Sequence, residues 1–174
     1  KLPSKSSKLQ LLETVIFNKP AKISNTLNWH QDVAYFPLEP NNQIAVWLPF
    51  EKITKEKGAM LYAIGSHKSG IRGSTNLHTR EKFENEDREL IPENPEDDGY
   101  EVRVMEMSQN DMIIHDGCTW HSSGPNEVEG YNRRGLSVRF IIEEAVFDPR
   151  PGQGAAFAEQ IKVKAGEVVA GKPF

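Results

Sequence analysis

The run Trp29-His30-Gln31-Asp32 is answered 91 positions later by His121, within Thr119-Trp120-His121-Ser122-Ser123-Gly124-Pro125-Asn126. Two imidazoles and one carboxylate are the donor set that holds a non-haem Fe(II) by one face and leaves the opposite positions free. In an extended strand, residues two apart share a face, so His30 and Asp32 can aim at one metal while Gln31 points away. For His121 to join them, a late strand must lie beside an early one. Closure over that distance suits a jelly roll, in which early and late strands are neighbours.

The rest of the chain fits an all-β fold. Short runs rich in β-branched and aromatic residues fall at 11–17, 44–49, 60–64, 100–105, 111–114 and 136–142, with turn-formers between them. Residues 70–99 are polar and acidic, with Pro92 and Pro95 near their end, and read as a long surface excursion with a helical turn or two. Loops of this length in compact domains tend to be functional or mobile. Past Pro149 the sequence becomes rich in Gly and Ala, and residues 155–161 are expected to form a short helix.

With 174 residues, 37% of them hydrophobic and 26% charged, a single domain over 1–174 is expected, with one core. The chain does not begin with Met and the metal motif comes early, so some N-terminal residues are expected to be lacking. A net charge of −4 with scattered basic residues gives no footprint for nucleic acid. No apolar run approaches the roughly 20 residues of a membrane helix, and the start lacks a secretory signal. The expected partner is a small-molecule substrate, with neither nucleic acid nor membrane. Cys118 is the sole cysteine, which excludes an internal disulfide and points to a reducing compartment, the cytoplasm or an organelle matrix.

A lone His-x-Asp is a weak signal, and three other histidines compete for the third ligand position. His67 reads as a turn residue after the strand at 60–64, and His78 as a solvated loop residue. His115 is the stronger rival, six residues before His121, but Asp116-Gly117 is a turn signal that leaves it at a strand end. A closed structural zinc site usually needs more thiolates than one cysteine supplies. Catalytic zinc on the same three residues stays open on the ligands alone.

The surrounding residues carry a resemblance. The stretch His30-Gln31-Asp32-x-x-Tyr35-Phe36-Pro37-x-x-Pro40 is followed by Trp47 and by Gly58-Ala59-Met60-Leu61-x-x-Ile64-Gly65-Ser66-His67-Lys68-x-Gly70. Further on come Asp111-x-x-x-x-Asp116-Gly117-x-x-x-His121-x-Ser123-Gly124-x-Asn126 and Arg133-Arg134-x-Leu136-Ser137. In this order, over about residues 11–145, the pattern resembles the phytanoyl-CoA dioxygenase family.

The resemblance implies a double-stranded β-helix, or jelly roll, with minor helical elements. It also implies a dioxygenase dependent on Fe(II), 2-oxoglutarate and O₂, which hydroxylates an unactivated C–H of a small molecule, an acyl-CoA or another metabolite, and releases succinate and CO₂. The family's metal ligands fall on His30, Asp32 and His121. Its cosubstrate contacts fall on Arg133, Ser123 and Trp47, though Trp47 is equally readable as a core aromatic. A guanidinium grips a carboxylate through two parallel hydrogen bonds, which is why arginine is wanted there. The interval from His121 to Arg133 is one residue longer than the commoner spacing, so Arg134 and Arg139 remain competitors. Alternation puts Arg133, Ser137 and Arg139 on one face and Arg134 on the other, so Arg134 is expected in solvent if Arg133 is inside. Tyr35 and Phe36 fall beside the metal, as substrate contacts or as packing. The alternatives are a jelly-roll metalloprotein using another divalent ion, an isomerase or hydrolase, and a non-catalytic binding protein.

Overall fold

Alternating burial along the chain makes the sheets. In Gln43–Pro49 every second side chain is buried, so the strand shows one face to a core and the other outward. The computed structural model describes residues 9–22, 25–39, 42–84, 86–142, 144–149 and 162–169. The helix expected at 155–161 lies outside the described residues.

The strands are β1 (Leu9–Lys19), β2 (Leu27–His30), β3 (Leu38–Glu39), β4 (Gln43–Pro49), β5 (Met60–Ala63) and β6 (Val102–Met105), followed by β7 (Ile113–Asp116), β8 (His121–Ser123), β9 (Arg133–Ile142), β10 (Ala145–Phe147) and β11 (Val168–Val169). They form a four-stranded sheet ordered β1-β9-β4-β7, a second four-stranded sheet ordered β2-β8-β5-β6, and a small sheet β11-β10-β3. Early strands pair with late ones: β1 runs antiparallel to β9 from Leu9↔Ile142 to Lys19↔Arg133, and β2 pairs with β8. Trp47 and Ile113 of the first sheet pack with Met60, Tyr62 and Met105 of the second, so the core lies between the two. This is the jelly roll that the sequence implied.

The two sheets differ on their outer faces. Behind the second sheet, Ala63 and Trp120 are buried under Ile91 of the excursion, with Trp29 and Tyr100 packed alongside. Behind the first, Leu11, Ile16 and Ile114 are more than half exposed. The excursion itself is mostly irregular, with one bridge between Thr75 and Lys82 and a 3-10 turn at Pro95–Asp98. Glu86, which reads in sequence as one more solvated acid, is buried and accepts hydrogen bonds from the Ser74 hydroxyl, the Ser74 amide and Arg88. That carboxylate ties the excursion to itself, replacing the hydrophobic contacts the segment lacks.

Candidate active site

His30 closes β2 and His121 opens β8, and the register pairs them directly across the ladder. Their ring centroids are 4.1 Å apart. Each ring is oriented by its own strand: Nδ1 of His30 faces the Asn28 carbonyl at 2.8 Å, and Nδ1 of His121 faces the Thr119 carbonyl at 3.0 Å. If Nδ1 carries the proton and donates it to these carbonyls, Nε2 is left bare to bind a metal. Burial lowers the pKa of both rings, and His121 falls well below its ordinary value. Both are therefore neutral near pH 7, the form that coordinates.

Asp32 reaches the same point by a route slightly different from the expected strand. The strand ends at His30, Gln31 stays extended, and Asp32 begins a 3-10 turn over Asp32–Tyr35. One extended residue is enough to put His30 and Asp32 on one side and Gln31 on the other. Gln31 is buried there, donating to the carbonyls of Gly70 and Cys118 at 2.8 and 2.7 Å and accepting from the Arg72 amide at 2.7 Å. It thus fastens the start of the excursion beside the metal motif. Ligand atoms of His30, Asp32 and His121 all lie within 4.8 Å of one another. Burial alone would raise the Asp32 pKa, but Arg139, His115 and His121 more than offset it and keep the carboxylate ionised.

The competing histidines separate cleanly. His67 and His78 are exposed; Ser66, next to His67, pins the turn by donating to the Ala63 carbonyl and accepting from the Trp120 amide. His115 is next to last in β7, close to the strand end expected, yet its ring turns inward with 8% of the side chain exposed. Its Nε2 stands 3.5 Å from Oδ2 of Asp32. Its inward direction follows from pairing, because it stands opposite Ala45, which is buried. Sequence reasoning weighed His115 only as a rival ligand and did not place it behind Asp32.

The arginines separate as well. Arg134 is exposed and pairs with Glu51. Arg139 donates to Asp32 Oδ1 at 2.9 Å and to Glu13 Oε2 at 2.6 Å. Arg133 is 2% exposed, and among the described residues its Nε and Nη2 have no hydrogen-bond partner. The guanidinium stacks 4.6 Å above the Trp47 ring. Gly135 makes room for that ring: a Cβ there would stand 2.4 Å from Cζ2 of Trp47. Burial pulls the Arg133 pKa down to about 10, which leaves it charged. Lys19, opposite Arg133 in the ladder, donates to the carbonyls of Ser123 and Gly124, and burial together with Arg133 pulls it to about 8. Ser123 Oγ is buried and unpartnered among the described residues. The three histidine-site residues, Lys19, Arg133 and Ser123 line one cavity of about 320 Å³.

Tyr35 and Phe36 sit at the edge of this arrangement. The Tyr35 ring meets His30 edge-on at 6.1 Å while its hydroxyl donates to the Thr75 carbonyl at 2.8 Å, and Phe36 is buried in the core against Leu12 and Leu38. Both serve packing and the anchoring of the excursion.

The class so defined is an antiparallel jelly roll carrying a buried His-Asp-His cluster whose donor atoms are close enough to hold a metal ion. A family model for phytanoyl-CoA dioxygenase (PhyH) matches residues 5–135, and the chain belongs to that family. The probable phytanoyl-CoA dioxygenase of Caenorhabditis elegans is 30% identical over 143 residues, 79% of this chain and 44% of its own length. The peroxisomal phytanoyl-CoA dioxygenase of Homo sapiens is 27% identical over 137 residues, 76% of this chain and 39% of its own. The chain thus spans about two-fifths of the curated relatives it matches. Among solved structures, the epimerase SnoN in complex with Fe3+, alpha ketoglutarate and nogalamycin RO superposes with a TM-score of 0.74 at 19% identity, covering 95% of this chain and 64% of that one. The carbocyclase SnoK from nogalamycin biosynthesis gives a TM-score of 0.72 at 19% identity, with 94% and 60% covered. These two likenesses speak for the fold.

Proposed function

We propose that the chain is one oxygenase domain, an Fe(II)- and 2-oxoglutarate-dependent dioxygenase that hydroxylates a small molecule, an acyl-CoA or another metabolite. The observation that carries this reading is a pair: three neutral-or-anionic donors converging within 4.8 Å, and a buried guanidinium lining the same cavity whose Nε and Nη2 have no partner among the described residues. The donor set fits a ferrous ion, with imidazole and carboxylate supplied and thiolate absent. Arg133 fits a carboxylate, because a buried charge without a partner is costly unless a ligand supplies the missing acceptor.

When bound, the iron and 2-oxoglutarate with O₂ supply the oxidising chemistry that puts a hydroxyl on an unactivated C–H and yields succinate and CO₂. His30, Asp32 and His121 would hold the metal. Arg133 and Ser123 would take the distal carboxylate of the cosubstrate, with Trp47 beneath the guanidinium and Lys19 adding a second positive charge. The excursion, fastened by Gln31 and Tyr35, walls the cavity with Leu77 and His78 and keeps water from the site. Cys118 is the sole cysteine, so these residues hold no internal disulfide that would call for an oxidising compartment, which supports a reducing location such as the cytoplasm or an organelle matrix. Among the described residues no helix is long and apolar enough to cross a membrane.

The test is anaerobic addition of Fe(II) and 2-oxoglutarate, followed by visible absorption of the chelate and by succinate formation once air and candidate substrates are added. Binding of both, lost in His121→Ala, supports the reading. A protein that takes up Fe(II) yet leaves 2-oxoglutarate unbound refutes it.

A further inference from the structure

His115 and Tyr62 belong to neither the proposed ligand set nor the proposed cosubstrate contacts, yet both side chains are buried beside them, with ring centroids 4.8 and 5.8 Å from that of His121. Tyr62, on β5, places its hydroxyl 3.2 Å from Nδ1 of His115, on β7. The other ring nitrogen of His115 stands 3.5 Å from Oδ2 of Asp32, and among the described residues neither atom has a hydrogen-bond partner. Oδ1 of Asp32 is taken by Arg139, whose second arm is held by Glu13 of β1. The Asp32 carboxylate is therefore approached from two sides by residues of the first sheet, one of which is oriented by the second.

For the neutral ring, one tautomer suits both neighbours. If Nδ1 of His115 carried the proton, its bare Nε2 would face the anionic Oδ2, two acceptors opposed in a buried site. With the Tyr62 hydroxyl donating to Nδ1, the proton sits on Nε2 and points at Oδ2. A spacing of 3.5 Å is at the outer limit for a hydrogen bond, and such contacts shorten when a site is loaded. Burial raises the Tyr62 pKa further above its ordinary value, so the phenol keeps the proton it donates.

We propose that His115, set in one tautomer by Tyr62, is a positioning residue that locks the Asp32 carboxylate against Arg139 so that it presents a fixed oxygen to the metal. Without it, Arg139 is the one strong partner left, and the carboxylate is free to swing toward the guanidinium and away from His30 and His121. The inference rests on the reading of His30, Asp32 and His121 as metal ligands. Loss of a hydrogen-bond partner behind a metal ligand typically lowers metal affinity by about 10- to 100-fold.

The experiment uses Co(II) alone, titrated into the metal-free protein, with affinity from calorimetry and coordination geometry from the visible d–d bands. His115→Phe, which keeps a ring and removes the donor, is expected to bind about 10- to 100-fold more weakly with shifted bands. His115→Gln, which keeps an N–H directed at Asp32, is expected to stay within a few-fold of the parent protein, and Tyr62→Phe to fall between the two. Thermal melting of each metal-free variant checks that it is folded; should His115→Phe fail to fold, the comparison of Tyr62→Phe with His115→Gln decides. Parent-like affinity and bands in both His115→Phe and Tyr62→Phe overturn the proposal, as does a His115→Gln protein as impaired as His115→Phe, which would assign the effect to ring packing. A parent protein that binds no Co(II) refutes the ligand assignment itself, an outcome distinct from these.

Discussion

Arg133 and Arg139 lie on the same strand and the same face, six residues apart, and live in opposite electrostatic surroundings. Arg139 is closed by Asp32 and Glu13, so that burial, which would lower its pKa, is outweighed and the pKa rises. Arg133 has Trp47 beneath it and two nitrogens without partners among the described residues, and burial pulls its pKa to about 10. The paired arginine is part of the fold. The unpaired one carries a desolvation cost that an incoming anion would relieve, and on the proposed function that anion is the distal carboxylate of 2-oxoglutarate.

Substitution at each end breaks the comparison in opposite directions. In the metal-free protein Arg139→Met leaves Asp32 buried and uncompensated, and should cost about 3–5 kcal/mol in a denaturant titration. Arg133→Met removes a charge that had no partner, so stability should hold or rise, while 2-oxoglutarate affinity drops by about 3 kcal/mol, roughly a hundredfold, in calorimetry. The same pair can be read by melting: 2-oxoglutarate at about 100 times its Kd should stabilise the metal-loaded protein by about 2.7 kcal/mol, and this gain should vanish in Arg133→Met alone. Equal destabilisation by both substitutions would mean that Arg133 has an internal partner after all.

Smaller effects sharpen the picture. Gly135→Ala drives a methyl into Trp47 and should cost about 1–3 kcal/mol, with weaker cosubstrate binding, because the ring is the floor of the Arg133 site. The pH dependence of the metal-free protein should show the Arg139 end rather than the Arg133 end. His30 and His121 have pKa values below their ordinary 6.5, so as pH falls through 6.5 the unfolded chain takes up protons that the folded site refuses. Stability should therefore decline from about pH 6.5 downward, and again at lower pH as Asp32 protonates. A melting temperature flat between pH 7 and 5 would contradict the depressed imidazoles.

Much of the site was legible in the chain. His30 and Asp32 show donor chemistry at a two-residue spacing, the family resemblance singled out His121 and Arg133, and parity along β9 put Arg134 on the face opposite Arg133, where the structure leaves it exposed. The six strand-forming runs coincide with β1, β4, β5, β6, β7 and β9 to within a few residues. His115 was less legible, because Asp116-Gly117 signalled a turn and its inward face is set by the register of β7 on β4. Glu86 and Gln31 hid for the same reason: nothing local marks a polar residue as buried when partners such as Ser74 for Glu86 and Cys118 for Gln31 lie 12 and 87 positions away.

The sequence by itself determined the strand periodicity, written in residue type and short-range spacing, and, through the resemblance of its ordered motifs, the family and the donor set. Tertiary structure alone decided which arginine is satisfied and which is left waiting, because Glu13, Asp32 and Arg139 meet only after β1 has paired with β9. Charge compensation depends on distance through the fold, and separation along the chain carries no trace of it.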